Sequence, residues 1–492
     1  MQKGKLTVFF LIGLFLAGCN PKEHTSLICG QIDGYYNKQL MLFNAESVYI
    51  NNPYSNPIAT VKTDNEGQFC FSISVDDVEF IHLFTSDSLN LIETPIALQA
   101  GDSIHVKTSI YNKSRPQFSG KGYQISSLLF LQRKNLERNL RHYGIYELPV
   151  DGFVAFCDSL QTVWVNRIDS LSRQVPLVDQ AVEIAKADVS LFVSFKRFEF
   201  LQKHLAETQG LSAYLKPPSS YYSFKDTLFA FADDYWFLPS YSQAVDGLIE
   251  DDYQTQKANQ KDGLEDEFLH KLSIIEDEYN GVKQQVALSR LSRNFPNYLH
   301  NSNAFTLIEQ ADSLMQSINS SKTLGQYYTQ NSLRVAAIKP GVKTPEIILP
   351  NVDGQLVSLS SFKGDVVLIV FWGTWCPPCL SSMPKYIEIQ EEFKDSDVTF
   401  YFVSLEARKY DIESWAQLVR GKGALADKIL NGKPLPGVHV VAGGQFSNPQ
   451  VKPYAITYAP SYVLIDKEGF VVSPRVQLDE NLVEKISELL GS

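Results

Sequence analysis

The sequence has few of the features that nucleic-acid, zinc or multi-span membrane proteins need. Its 44 Lys and Arg residues are outnumbered by 55 Asp and Glu residues, and the formal net charge of −11 argues against binding to a phosphate backbone. Only the N-terminus carries a long apolar run, so we expect no further membrane span. The 8 histidines are scattered singly, none close in sequence to the paired cysteines, and we expect no metal or other cofactor.

The N-terminal apolar run predicts export and attachment to a lipid. Lysines precede the stretch 6–18, which is too short for a spanning helix and is typical of a secretory signal. The run ends in Leu16-Ala17-Gly18-Cys19, which resembles the lipobox of bacterial lipoproteins. The resemblance implies that residues 1–18 are removed, that Cys19 carries the lipid, and that the chain faces the periplasm or cell exterior. The alternatives are a plain secretory signal and an uncleaved membrane anchor.

Cysteine is scarce, with six residues in the chain. If Cys19 is lipidated, five remain, so at least one is unpaired within the chain. Cys29 and Cys70 fall in predicted strands and are candidates for a structural disulfide in an oxidising compartment, although two buried thiols are the simpler expectation. Cys157 has apolar neighbours at helical spacing, which predicts a buried structural thiol.

Residue patterning predicts a multidomain chain behind an anchor and linker at 19–25. Residues 26–120 contain short runs of β-forming residues between turn signals, which favours a small β-sandwich-like domain. Residues 121–335 carry apolar residues at three- and four-residue spacing and predict an α-helical region. Residues 336–492 alternate strands and helices and close with a hairpin and a helix, which predicts an α/β domain. The motifs "GQF" and "AGDSIHV" also resemble a β domain of unknown function found ahead of thioredoxin-like domains in bacterial lipoproteins.

The C-terminal part carries a more specific pattern. A continuous apolar strand, "DVVLIVFW", leads into Trp375 and the motif Cys376-Pro377-Pro378-Cys379, and "YAPSYVLIDKEG" follows further along. Residues 338–492 thereby resemble a thioredoxin-like domain of the TlpA/ResA type, a class of membrane-anchored thiol–disulfide oxidoreductases. The helical region lies outside this resemblance.

The cysteine spacing predicts the chemistry of the pair. Two intervening residues let both sulfurs meet where a strand runs into a helix. We expect the Cys376 sulfur to be exposed at the helix N-terminus, where its thiolate is stabilised and attacks disulfides. Cys379 would be more buried and would resolve the mixed disulfide. Pro377 suits the first helical turn, and with Pro378 it stiffens the loop.

The resemblance assigns further residues to substrate binding. It maps the family's cis-proline onto Pro460, so that Ala459 and Pro460 would pair their backbone with an extended substrate segment beside Cys376. Trp375 would form part of the contact surface.

Two acidic positions of related proteins are occupied by other residues here. Thioredoxins carry a buried carboxylate where this chain has Val370, and the ResA-type subset carries a glutamate where it has Ser382. The proton route to Cys379 is therefore left to water or to a distant group such as Glu406. We expect Glu406 itself to be a solvated strand end.

Together these features predict a thiol–disulfide oxidoreductase that is anchored in the cell envelope and acts as a reductase or isomerase. The family implies partners of three kinds: cysteine-containing envelope proteins such as apocytochromes, a membrane electron donor, and the membrane itself. A scaffold lipoprotein with an accessory redox pair is the main alternative. A peroxidase is disfavoured because Gly373 stands where peroxiredoxins need Thr or Ser.

Overall fold

The computed structural model describes most of the chain beyond the N-terminal run. The described residues are 25–44, 57–75, 79–85, 93–111, 116–128, 145–174, 179–207, 219–225, 228, 235–259, 267–318 and 322–491. The predicted signal and Cys19 lie outside them. Within these ranges no helix combines the length and the apolar character needed to cross a membrane.

The N-terminal region forms two four-stranded sheets with a shared apolar core, which confirms the predicted β-sandwich-like architecture. One sheet has the order β4-β1-β7-β8 and the other β3-β2-β5-β6. Alternation along each strand sends side chains such as Ile28 and Phe71 from one sheet and Leu42 and Leu83 from the other into this core. The strands are β1 (Thr25–Asp33), β2 (Gln39–Asn44), β3 (Ala59–Lys62), β4 (Gln68–Ser74), β5 (Glu79–Thr85), β6 (Glu93–Leu98), β7 (Ser103–Ser109) and β8 (Gln117–Lys121).

Cys29 and Cys70 form a disulfide in this sandwich, so the expectation of two buried thiols is wrong. The two residues face each other across the antiparallel pair β1–β4, with Cα atoms 3.9 Å apart. Their neighbours Ile28 and Phe71 point into the core, and the alternation therefore turns the cysteines outward. Cys29 is half-buried and Cys70 is exposed.

The middle of the chain is helical, as its apolar spacing predicts. Cys157 lies on the first of these helices, is 1% exposed and is free, and burial raises the pKa of its thiol to about 12. This is the inert buried thiol that the sequence predicts. Part of one predicted helix, 129–140, lies outside the described residues. The helices are α1 (Val150–Gln174), α2 (Asp179–Glu207), α3 (Pro239–Asn259), α4 (Glu267–Glu278), α5 (Gly281–Ser292), α6 (Phe295–Tyr298), α7 (Ala304–Ser317) and α8 (Lys322–Ala336).

The C-terminal region is a five-stranded mixed sheet with helices packed against it, the thioredoxin-like architecture predicted for it. The sheet has the order β13-β12-β11-β14-β15, in which β11, β12 and β13 are parallel and β14 and β15 are antiparallel. A hairpin of β9 (Ile348–Pro350) and β10 (Leu356–Ser358) precedes it, with the predicted turn between them. The sheet strands are β11 (Val366–Trp372), β12 (Val398–Glu406), β13 (Val438–Gly443), β14 (Ser461–Ile465) and β15 (Val471–Ser473).

One helix of this region is divided in two. The helix after Cys376 is broken at Ser382, two residues before Pro384, because proline cannot supply the backbone donor that a continuous helix needs. The edge strand β13 and the helix before it were not predicted. The helices are α9 (Pro377–Ser381), α10 (Met383–Glu392), α11 (Lys409–Val419), α12 (Ala424–Leu430) and α13 (Glu480–Gly491).

The chain divides into two compact units. One comprises Met1–Arg290 with Ser321–Leu324, and the other comprises Leu291–Ser320 with Gly325–Ser492. The last helices of the helical region thus belong to the same unit as the C-terminal sheet.

Candidate active site

The paired cysteines lie where the central strand of the C-terminal sheet meets a helix. Every residue of β11 is buried, as a strand in the middle of a sheet requires. The chain leaves β11 at Trp372, turns through Gly373, and reaches Cys376, which is the N-cap of α9. Cys376 and Cys379 are joined in a disulfide with Cα atoms 5.3 Å apart. The structure thus brings the two predicted redox residues together at one strand–helix junction.

Polar backbone groups surround the Cys376 sulfur. The Cys379 N–H donates a hydrogen bond to Cys376 Sγ over 3.2 Å. In the reduced form this donor would stabilise a thiolate at Cys376, since hydrogen bonds to an ionised sulfur favour its charged state. On the other side, the carbonyl oxygen of Ala459 lies 3.5 Å from the same sulfur.

The expected exposure of Cys376 is wrong. Cys376 is only 3% exposed and Cys379 is 0% exposed, so both sit in the core cluster of the domain. The Ala459 carbonyl covers one side of the disulfide, and the Cys376 sulfur points back toward its own helix turn. Pro377 and Pro378 are both exposed and occupy the first helical turn as the sequence predicts.

The loop that ends at Pro460 lies beside the disulfide, and its Ala459–Pro460 peptide bond is cis. Ala459 and Pro460 are half-buried, while Tyr458 before them is 45% exposed. Across the site, Trp375 is 43% exposed and its ring meets Phe446 edge-on with centroids 6.0 Å apart. Exposed aromatic surface therefore flanks the disulfide, and this is the environment in which an apolar stretch of a substrate chain can pack.

Glu406 is not the solvated strand end that we expected. It is the last residue of β12, it is 0% exposed, and its carboxylate accepts hydrogen bonds from the backbone and hydroxyl of Thr374 and from the Ser404 hydroxyl. Burial raises the pKa of this carboxyl group. The sequence alone offered one signal, an acid at the end of an apolar run that is typical of a buried strand.

The two positions where related proteins carry an acid have different surroundings. Val370 is a fully buried core residue of β11. Ser382 is half-buried and its hydroxyl donates to the Pro378 carbonyl over 2.9 Å. Next to it the hydroxyls of Tyr386 and Tyr462 lie 3.0 Å apart, and burial raises the pKa of both phenols. Neutral hydroxyl groups thus occupy the place that an acid fills in the ResA type.

The loop before Pro460 is held by residues that no motif had indicated. Arg475 is 7% exposed and donates to the Ala455 carbonyl over 2.7 Å, and burial lowers the pKa of its guanidinium to about 10. Thr457 donates to Asn297 of α6 over 2.8 Å. The helical segment of this unit therefore contacts the loop before Pro460. Among the described residues, no three His, Cys, Asp or Glu side chains are grouped as a metal would need.

The C-terminal region matches a known family model and several characterised proteins. Residues 339–488 match the family model described as Redoxin. The chain is 29% identical over 132 residues to the thiol-disulfide oxidoreductase ResA of Bacillus thuringiensis subsp. konkukian, a match covering 27% of this chain and 66% of that protein. It is 32% identical over 110 residues to the thioredoxin-like protein YneN of Bacillus subtilis, covering 20% of this chain and 65% of that protein. The chain therefore matches just under two thirds of the length of these relatives.

A solved structure also aligns with only the C-terminal third of this chain. The thioredoxin domain of a thiol-disulfide oxidoreductase from Bacteroides vulgatus is 24% identical, and the alignment covers 31% of this chain and 97% of that domain with a TM-score of 0.26. The family model matches residues 339–488 as a Redoxin domain, and the sequence relatives of this region include proteins named thiol-disulfide oxidoreductases.

Proposed function

We propose that this protein is a thiol–disulfide oxidoreductase of the cell envelope, in which Cys376 attacks substrate disulfides and Cys379 resolves the mixed disulfide. The observation that carries the proposal is the disulfide at the strand–helix junction, whose outer sulfur receives a hydrogen bond from the Cys379 N–H. The match to the Redoxin family model supports it.

The exchange proceeds in two substitution steps at sulfur. The Cys376 thiolate attacks one sulfur of a substrate disulfide, a new S–S bond forms, and the other substrate sulfur leaves as a thiolate that takes up a proton. Cys379, after losing its proton, attacks the Cys376 sulfur and releases the second substrate thiol. Two electrons have then passed from the dithiol to the substrate, and Cys376–Cys379 is a disulfide again.

The placement of the flanking residues supports a role for them in substrate binding. A substrate segment lying along Ala459 and Pro460 would bring its disulfide beside Cys376, whose sulfur is 3.5 Å from the Ala459 carbonyl. The exposed ring of Trp375 would pack against that segment. Because Cys376 is only 3% exposed, a substrate has to pack closely against these flanking residues to reach its sulfur.

The location and partners are part of the proposal. Lipidation of Cys19 would hold the chain at the membrane on the extracytoplasmic side, where disulfides persist. The substrates would be cysteine-containing envelope proteins, and a membrane electron donor would return two electrons to the Cys376–Cys379 disulfide after each cycle. Mass spectrometry of the N-terminal peptide of the mature protein should find Cys19 as the first residue, carrying a diacylglyceryl group; an unmodified Cys19 would contradict the lipid anchor.

Trapping of the mixed disulfide tests the exchange itself. The Cys379→Ser variant keeps the attacking thiol and lacks the resolving one, so it should accumulate covalent adducts with a disulfide-bonded peptide. The Cys376→Ser variant should accumulate none, and Cys157→Ser should behave as the wild type because that thiol is buried. If Cys379→Ser formed no adduct, the exchange function would be wrong. Unchanged cellular function in a Cys376→Ser, Cys379→Ser double variant would favour a scaffold lipoprotein instead.

A further inference from the structure

We propose that Glu406 is a positioning residue that fixes the segment in front of Cys376 and biases the Cys376/Cys379 couple toward donating electrons. This inference rests on the proposed exchange function and concerns its direction. Glu406 lies on a different strand from the cysteine motif and belongs to neither of the two acidic positions that the family resemblance indicated.

The carboxylate is fully engaged with the active-site loop. Its Oε1 accepts from the Thr374 N–H and from the Ser404 hydroxyl, each over 2.8 Å, and its Oε2 accepts from the Thr374 hydroxyl over 3.1 Å. An ionised carboxylate is an acceptor-only group, so three donors directed at its two oxygens suit the charged form. Thr374 stands two residues before Cys376, so the buried carboxylate is tied to the segment that leads to the attacking sulfur.

The backbone at Glu406 is anchored in the sheet. Its carbonyl oxygen accepts from the Gly444 N–H over 3.0 Å, and the residue is paired within the sheet to Gly443 of β13. Next to it, the Leu405 carbonyl accepts from the Trp375 indole N–H over 2.5 Å. Two successive loop residues, Thr374 and Trp375, are therefore tied to the last two residues of β12.

The charged groups near Glu406 do not cancel its charge. The acidic side chain that acts on it electrostatically is Asp411 of α11, which raises the pKa of Glu406 further. Asp411 is itself paired with Arg408, whose guanidinium makes two hydrogen bonds to it and is largely exposed. On β11 and β13 the residues registered with the end of β12 are Trp372, Ala442 and Gly443, none of them ionisable.

A fixed negative charge near Cys376 has a predictable effect on the redox couple. It opposes the thiolate that the Cys379 N–H stabilises, and so it raises the free energy of the reduced form. A couple whose reduced form is less stable has a more negative reduction potential and gives up its electrons more readily. Glu406 thus favours the reductant direction of the exchange.

The test compares Glu406→Gln with Glu413→Gln, a matched removal of one negative charge from an exposed position on α11. Two properties are measured in the full chain: the pKa of the Cys376 thiol, from alkylation rate against pH, and the equilibrium constant with glutathione. Glu406→Gln should lower the thiol pKa and shift the glutathione equilibrium toward the dithiol by about fivefold, the size expected for one charge acting through a partly screened protein interior. Glu413→Gln should leave both unchanged.

A second variant provides a test that does not depend on the folding of Glu406→Gln. Thr374→Val removes one donor to Glu406 but leaves the carboxylate charge in place, so it should shift both properties far less than Glu406→Gln does. Unaltered thiol pKa and glutathione equilibrium in a folded Glu406→Gln protein would overturn the inference, as would equal shifts in Glu413→Gln. Neither readout needs a substrate protein. Failure of dithiothreitol to reduce wild-type Cys376–Cys379 would instead contradict the proposed function.

Discussion

The two disulfides of this chain are opposite in almost every structural respect. Cys29–Cys70 joins facing positions of two antiparallel strands and spans 41 residues, whereas Cys376–Cys379 closes one turn at the start of a helix. The first lies on the outer face of its sheet, with Cys70 exposed. The second is at least 97% shielded from solvent, since its residues are 3% and 0% exposed.

Exposure is therefore not what separates a structural disulfide from a reactive one here. The Cys376 sulfur of the C-terminal pair lies next to the Cys379 N–H and the Ala459 carbonyl. The loop before it is fixed by a hydrogen bond from the Thr374 N–H to the buried Glu406 carboxylate. Such groups set the stability of the thiolate and the approach of a substrate. The N-terminal disulfide joins β1 to β4, so its main effect is to reduce the conformational entropy of the unfolded chain.

Loss of the exchange reaction is the largest effect we expect. Cys376→Ser should reduce the rate of peptide-disulfide reduction to the background of the chemical reductant, because no other thiol is placed to start the reaction at this site. The double variant Cys29→Ser, Cys70→Ser should keep the wild-type rate. A large loss of rate in the double variant would mean that the two disulfides act together.

Removal of the N-terminal disulfide should instead destabilise its sandwich. A cross-link closing a loop of this length contributes about 4 kcal/mol by restricting the unfolded chain. We expect Cys29→Ser, Cys70→Ser to lower the free energy of opening of β1 and β4 by that order, measured by native-state hydrogen exchange. Amides of β11 and β12 are the internal control and should be unaffected.

Acid should weaken the C-terminal region through His439. This residue of β13 is 6% exposed, its ring stacks on Phe402 with centroids 4.6 Å apart, and burial lowers its pKa to about 4. Between pH 6.5 and 4 the unfolded chain binds a proton at this histidine while the folded chain does not, so the free energy of unfolding falls by roughly 3 kcal/mol across that window.

The matched variant for this effect is His439→Leu. It should remove most of the pH dependence between pH 6.5 and 4 in hydrogen exchange of β12 and β13, whatever its effect on stability at pH 7. The same pH dependence in the variant would show that another group is responsible.

The smallest effect concerns the hydroxyl pair behind the active site. Tyr462→Phe removes one partner of the Tyr386 hydroxyl and should cost about 1 kcal/mol of stability, the usual contribution of one hydrogen bond. The reduction potential of Cys376–Cys379 should change little, because both phenols are neutral at working pH. A shift in the potential as large as that of Glu406→Gln would place these hydroxyls in the proton route to Cys379.

Sequence patterns predicted the secondary structure that is determined by residues adjacent in sequence. The short β-forming runs of 26–120, the helical spacing of 121–335 and the apolar run of β11 each follow from neighbouring residues. The strand β13 was missed because Val438–Gly443 is short and stands in a turn-rich segment, and it forms by pairing with β12. Tertiary pairing of this kind leaves little trace in a single sequence.

The same division applies to the active site. The cysteine motif and Pro460 could be found from spacing and family resemblance. The burial of Cys376 could not, because it depends on a loop more than eighty residues away, in which Ala459 covers the sulfur. Glu406 and Arg475 act through hydrogen bonds across strands and loops, so their roles required the three-dimensional arrangement.

The most direct test is to follow both disulfides in the same wild-type sample during reduction. Native protein is exposed to limiting dithiothreitol, alkylated at intervals, and digested, and the reduced fraction of each pair is quantified by mass spectrometry. Our account predicts that Cys376–Cys379 opens first and reversibly while Cys29–Cys70 stays closed, although Cys70 is the more exposed sulfur-bearing residue. Equal or faster opening of Cys29–Cys70 would contradict the claim that the C-terminal surroundings make the reactive site.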